Sequence, residues 1–197
     1  MGKRSHFERR ESDFYPTPFA AVPPLLPYLG GIKSFAEPCA GDGALIRHLE
    51  SLGLRCVWRG DIRSGKDALS FDSYGDAPII ITNPPHSRGP MHRLIQHFQG
   101  IAPTWLLLDA DWMQTRQASP FLGSCSDVVP IGRLKWIEGS PHTGKDNFCW
   151  YRFEAGHTGG CIFHSRDVLC RCPQCESGII EGLVYGPGEN FDNKRVS

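Results

Sequence analysis

Two stretches of the chain carry residue types that could do chemistry. Phe35-Ala36-Glu37-Pro38-Cys39-Ala40-Gly41-Asp42-Gly43 is an apolar run ending in a glycine-rich loop, and Ile79-Ile80-Ile81-Thr82-Asn83-Pro84-Pro85-His86 is an apolar run ending in Asn before a Pro-Pro pair. Gly41 and Gly43 let the backbone approach a ligand with no Cβ in the way. Pro84 and Pro85 each fix φ, remove an N–H and restrict the residue before them. The Asn83 side chain and the Pro84 carbonyl are thereby held as two aimed acceptors, which suits an exocyclic amine. Such an amine is conjugated and a poor nucleophile. Hydrogen bonds from its N–H groups free the lone pair and stabilise the positive charge that grows on alkylation. His86 offers a flat ring to the face of a held base. No Ser/His/Asp or Cys/His arrangement supplies a nucleophile.

An acidic residue, Asp61, follows the glycine loop by about twenty positions, a spacing that suits hydrogen bonding to ribose hydroxyls. A nicotinamide site is the nearer rival. However, Gly41-x-Gly43-x-x-Ile46 lacks the third glycine, and Asp42 would stand where a pyrophosphate belongs. The zwitterionic tail of S-adenosylmethionine tolerates an acidic neighbour better. Two plainer readings stand beside these: a strand-to-helix turn with no ligand, and Asn-Pro as turn punctuation.

These loops need elements to position them. Lys33–Glu37, Leu54–Ile62, Ala77–Thr82 and Trp105–Leu108 read as strands; the last two are nearly pure apolar runs of the kind buried on both faces of a parallel sheet. Gly43–Leu52 reads as a helix with Leu45, Ile46, Leu49 and Leu52 at helical spacing, and Met91–Phe98 as another. Thr17 and Pro18 suit a helix start, but Pro23, Pro24 and Pro27 limit Phe19–Leu29 to two short helical pieces. Val128–Ile137 and Asn147–Phe153 read as a late antiparallel edge hairpin. Strands alternating with helices predict an α/β, doubly wound, mostly parallel sheet. The expected organisation is a flexible arm over residues 1–12, one domain over 13–155 and a Cys/Gly-rich tail over 156–197.

Composition is ordinary for a globular chain: 197 residues, 40% hydrophobic, 21% charged, with Lys+Arg and Asp+Glu both 21. No global basic excess argues for nucleic acid, so any basic surface must be local. No apolar run is long enough to span a membrane, and the charged start lacks the apolar segment of a secretory signal. Cys39, Cys56, Cys125 and Cys149 read as small buried thiols in a reducing cytoplasm.

The two loops, Asp61 between them and Tyr15-Pro16-Thr17-Pro18 ahead of them resemble the amino-methylating S-adenosylmethionine-dependent DNA methyltransferases, and more narrowly the small phage and prophage adenine-N6 methylases. The resemblance spans residues 13–155. The stretches Trp105–Met113 and Gly144–Phe153 are similar to that group too. It implies a Rossmann-like methyltransferase sheet and S-adenosylmethionine as cofactor. Tyr15, Thr17 and Pro18 would line the methionine end, and Glu37, Cys39, Ala40, Gly41 and Gly43 would wrap the ligand. Asp61 and Ile62 would hold the ribose and flank the adenine, and Asp67 would reach the adenine amino group. Asn83, Pro84, Pro85 and His86 would be catalytic. The family usually has Tyr, Phe or Trp where this chain has His86. The implied partner is DNA with a flipped base, the implied setting the cytoplasm of a bacterial or phage-infected cell, and the implied role protection from restriction. The same tetrapeptide type serves methylation of protein glutamine amides and of RNA amines, and a retired cofactor-binding adaptor is a further reading.

Arg88, Arg93, Arg133, Lys135 and Lys145 are candidate backbone contacts, with Trp112, Trp136 and Trp150 nearby; a solvated face and core tryptophans are the plain alternatives. His92 and His97 read as surface residues. Cys170-x-Cys172-Pro173-x-Cys175 suits a zinc knuckle with a fourth ligand from Cys161, His164 or His157. Loose thiols or a redox pair are the competing readings.

Overall fold

In the computed structural model, residues 15–137 and 143–165 are described. The strands are β1 (Ser34–Glu37), β2 (Arg55–Arg59), β3 (Ile80–Thr82), β4 (Thr104–Asp109), β5 (Cys125–Arg133), β6 (Asn147–Phe153) and β7 (Ile162–Phe163). The helices are α1 (Ala44–Ser51), α2 (Arg88–Gln99) and the single turn α3 (Ser119–Leu122). The strands form one sheet in the order β2-β1-β3-β4-β6-β5-β7. Neighbours from β2 to β4 are parallel, whereas β6 runs antiparallel to both β4 and β5.

The central strands show why the chain folds this way. In β3 and β4, successive apolar side chains point to opposite faces. Ile79 and Ile81, with Trp105 and Leu107, join Leu45 and Leu49 of α1 and the turn residues Val22 and Leu25 on one face. Ile80, Leu106 and Leu108 join Leu94, Ile95 and Phe98 of α2 on the other. Both faces are therefore covered, as a parallel sheet requires. Each such fully buried side chain contributes about 1.5–3 kcal/mol. The Trp150 indole, fully buried, donates to the Ala21 carbonyl at 2.7 Å and fastens the N-terminal turns to the sheet.

The chain goes from β1 through α1 to β2 on one side, then crosses back to set β3 on the other side of β1. That reversal makes the carboxyl ends of β1 and β3 the switch point of the sheet, where ligands bind in open α/β folds. Both chemistry-bearing loops leave from those ends.

Several boundaries differ from those expected. β2 stops at Arg59, and Asp61 instead caps the 3-10 turn Ile62–Ser64 by accepting from the Arg63 backbone N–H. α2 starts at Arg88, ahead of the apolar pattern, because Arg88, Gly89 and Pro90 carry no apolar signal, while proline is tolerated in a first turn. Phe19–Ala21 and Pro23–Tyr28 form 3-10 turns, as their prolines suggest. The hairpin is not the sheet edge: β6 lies inside it, and β7 pairs in parallel outside β5. The N-terminal arm and Cys170, Cys172 and Cys175 lie outside the described residues. Among the described residues no helix is long and apolar enough to cross a membrane.

Candidate active site at the carboxyl edge of the sheet

The loop after β1 is built on Glu37. This carboxyl group is fully buried. Its Oε1 accepts the Cys39 backbone N–H at 3.0 Å and the Thr82 hydroxyl, while Oε2 is buried with no partner. Burial pushes the carboxyl up to about 8; the Thr82 and Cys39 hydrogen bonds oppose the rise and the nearby Asp61 charge adds to it. Burial, with Glu37 alongside, also raises the Cys39 thiol, so Cys39 is a neutral packing group and not a nucleophile.

Gly41 and Gly43 both have positive φ, 55° and 81°, the left-handed region open to glycine. The loop closes through Gly43 N–H to the Ala40 carbonyl at 2.7 Å, and Ala40 N–H reaches the Gly60 carbonyl at 2.8 Å. The Gly41 N–H donates to Asp61 Oδ2 at 2.9 Å. Asp61 Oδ1 takes the Arg63 backbone N–H at 2.9 Å and the Arg63 side chain at 3.1 Å. Burial alone would raise the Asp61 carboxyl, but these hydrogen bonds outweigh it and hold the group below its ordinary value.

A cavity of about 530 Å³ opens between the β1 and β2 loops, lined by Ala40, Gly41, Gly60 and Asp61, with Arg59, Arg63, Ser64 and Lys66 completing its wall. Ile62 stands beside it, 70% exposed despite being apolar. Asp67 lies outside the lining and caps the turn Ala68–Ser70 by accepting from Leu69 N–H at 3.0 Å.

On the β3 side, Asn83 is half-buried, Pro84 buried and Pro85 exposed. Asn83 Nδ2 donates to the Thr17 hydroxyl at 3.1 Å. His86 Nε2 lies 3.2 Å from Asn83 Oδ1 and donates there in the Nε2–H tautomer. The His86 ring meets Phe148 edge-on at 5.5 Å and Trp136 at 6.4 Å, and Trp136 in turn lies 6.4 Å from Tyr15. Pro18 precedes the first 3-10 turn. The His48 ring of α1 donates from Nε2 to the Thr17 carbonyl at 3.1 Å, with burial lowering its pKa.

The residues expected to act together thus fall into two adjoining groups. Ala40, Gly41 and Asp61 line the cavity on the β2 side of β1. Tyr15, Thr17, Asn83 and His86 gather on the β3 side, and Glu37 with Thr82 ties the two loops at their roots. Sequence reasoning missed Thr82, His48, Phe148 and Arg59. Thr82 alone left a signal, as the one polar residue closing an apolar run immediately before Asn83.

Trp112 and Trp150 take the core alternative, 5% and 0% exposed, whereas the surface reading of His92 and His97 is corrected. His92 is half-buried and accepts the Trp112 indole N–H at 3.1 Å, and His97 donates to the Phe71 carbonyl at 2.9 Å; both knit α2 to its neighbours instead of lying on the surface. Cys39 and Cys56 are half-buried, whereas Cys125 and Cys149 are buried. Arg88, Arg93, Arg133, Lys135 and Lys145 are exposed, and Arg88 donates to Gln117 Oε1 at 2.9 Å. Among the described residues no group of three His, Cys, Asp or Glu could hold a metal ion. His164 pairs with Asp127 at 2.8 Å, His157 lies 3.4 Å from the Gly160 carbonyl, and Cys161 lies 3.5 Å from Cys125.

No protein-family model and no curated protein matches the sequence. Among solved structures, the chain is similar to a Pyrococcus horikoshii protein named as a candidate RNA methyltransferase, at 22% identity and a TM-score of 0.51, over 73% of this chain and 87% of that one. It is also similar to a dimethyladenosine transferase from Plasmodium falciparum, at 16% identity and a TM-score of 0.46, over 71% and 62% of the two chains. The fold is α/β: a doubly wound, Rossmann-like sheet, mostly parallel, with an antiparallel strand toward one edge, as its likeness to the P. horikoshii structure also indicates.

Proposed function

We propose that this protein transfers a methyl group from S-adenosylmethionine to an exocyclic amino nitrogen, adenine N6 in DNA being the substrate its motifs favour. The observation that carries the reading is the half-buried Asn83 amide, held at the switch point next to a locked Pro-Pro, with its root tied through Thr82 to the loop of Gly41.

The residues present fit the cofactor. Glu37 Oε2 is buried and lacks a donor, which suits the α-ammonium of the methionine tail. Gly41 presents backbone without a Cβ, and Asp61 retains lone pairs for ribose hydroxyls. Tyr15 and Pro18 would close the methionine end, with Thr17 between them turned to Asn83; Cys39, Ala40 and Gly43 would close the wrap around it, and Ile62 and Asp67 the adenine. S-adenosylmethionine supplies the electrophilic methyl. The rest falls to this chain. Asn83 Oδ1 and the Pro84 carbonyl accept the two N–H groups of the target amine, orient its lone pair and gain strength as positive charge develops on nitrogen. The target amine takes the place that His86 Nε2 occupies at Oδ1, and the His86 ring, backed by Phe148, stacks on the base. A base in a duplex must be flipped to arrive there.

RNA is the second reading, because the P. horikoshii protein with a similar fold is named for RNA. Incubation with tritiated-methyl S-adenosylmethionine and DNA, RNA or protein in parallel decides between them. Label in N6-methyldeoxyadenosine supports the proposal, label in RNA or protein replaces its substrate, and cofactor binding with no transfer to any of them would make the chain an adaptor.

A further inference from the structure

We infer that Thr17 is a positioning residue for Asn83, acting on the catalytic amide rather than on the cofactor; this rests on the methyl-transfer reading above. Pro84 and Pro85 lock the backbone after Asn83, so the remaining freedom is in its side-chain torsions. In the structure both ends of that amide are held. Nδ2 donates to Thr17 Oγ1 at 3.1 Å, and Oδ1 faces His86 Nε2 at 3.2 Å. Once a target amine displaces His86, Thr17 is the anchor left to aim Oδ1. The amine is a donor and needs Oδ1, which leaves Nδ2 to find an acceptor; the Thr17 hydroxyl supplies one.

Thr17 is suited to that task. It is buried, 6% exposed, so water does not compete for its hydroxyl. Its own carbonyl takes the His48 ring N–H at 3.1 Å, and His48 packs edge-on against Phe19 at 5.3 Å. A chain of contacts thus runs from α1, which follows the glycine loop, through His48, Thr17 and Asn83 to His86. It holds the Tyr15–Pro18 segment between the two loops and couples the placement of the amide to α1. A residue serving mainly as cofactor wall would have no need of a hydrogen bond to Asn83.

The test compares wild type, Thr17→Val and Thr17→Ser. Valine has the same shape and no acceptor; serine keeps the hydroxyl. Thr17→Val is expected to lower kcat about tenfold or more, the equivalent of one misplaced hydrogen bond. The nucleic-acid KM and the cofactor Kd should change less than about twofold, and Thr17→Ser should recover most of kcat. A raised cofactor Kd with kcat unchanged, or no effect on either, overturns the inference. A second readout does not need turnover. In 15N NMR spectra the Asn83 side-chain NH2 should be protected from exchange in wild type and Thr17→Ser and lose protection in Thr17→Val. If wild type methylates nothing, the methyl-transfer reading fails on its own, and an Asn83 amide indifferent to Thr17→Val would separately rule out the anchor.

Discussion

The Thr82 hydroxyl donates to Glu37 Oε1, joining the last residue of β3 to the last residue of β1 across 45 positions of sequence. This buried contact, added to the parallel pairing of β1 with β3, gives the glycine loop and the Asn-Pro-Pro loop a shared root. Glu37 thus serves structure as well as the proposed ligand.

Glu37 sets a pH dependence. Its folded carboxyl is pushed up to about 8 from a reference value of 4.5. Between these values the folded chain keeps a proton that the unfolded chain has lost. The Glu37 contribution to stability therefore falls as pH rises from about 4.5 to about 8, by at most about 1.4 kcal/mol per pH unit, and levels off above. Denaturant melts across this range should show Glu37→Gln gaining on wild type as pH rises. Parallel pH profiles for the two would refute the assignment.

Gly43 precedes α1 in the left-handed region, at φ 81°. A Cβ there would lie 3.4 Å from Arg47 Nη1, which is ordinary contact, so the cost of Gly43→Ala is conformational. It should be about 1–2 kcal/mol in a denaturant melt, with weaker S-adenosylmethionine binding by calorimetry. An unchanged melt would mean that the loop adopts another conformation.

Gly144 supports the aromatic wall behind His86. Its N–H donates to the Leu134 carbonyl at 2.8 Å, and an added Cβ would fall 2.9 Å from that oxygen and 3.3 Å from the Trp136 ring. Gly144→Ala should push Trp136 outward, shift tryptophan emission to the red and reduce methyl transfer about as much as Trp136→Ala. Native emission together with reduced transfer would place the effect elsewhere.

The local parts of this site were legible in the sequence because their causes are local. Gly41 and Gly43 announce positive φ, the Pro84-Pro85 pair announces a rigid presentation of Asn83, and the apolar runs before them announce buried strands. The contacts that unite the parts were not legible, since Thr82 to Glu37, Thr17 to Asn83 and Phe148 to His86 join residues brought close only by sheet order. Sheet order itself was partly hidden: nothing in β5 or β6 says that β6 inserts beside β4, or that residues 162 and 163 pair outside β5.

If a cofactor site at Gly41 and an amine site at Asn83 work as one, Asn83→Ala separates them, with tritiated-methyl transfer to nucleic acid and S-adenosylmethionine binding measured on the same preparation. Transfer should fall to background while the cofactor Kd stays within about twofold of wild type. Transfer at the wild-type rate by Asn83→Ala would contradict a joint site.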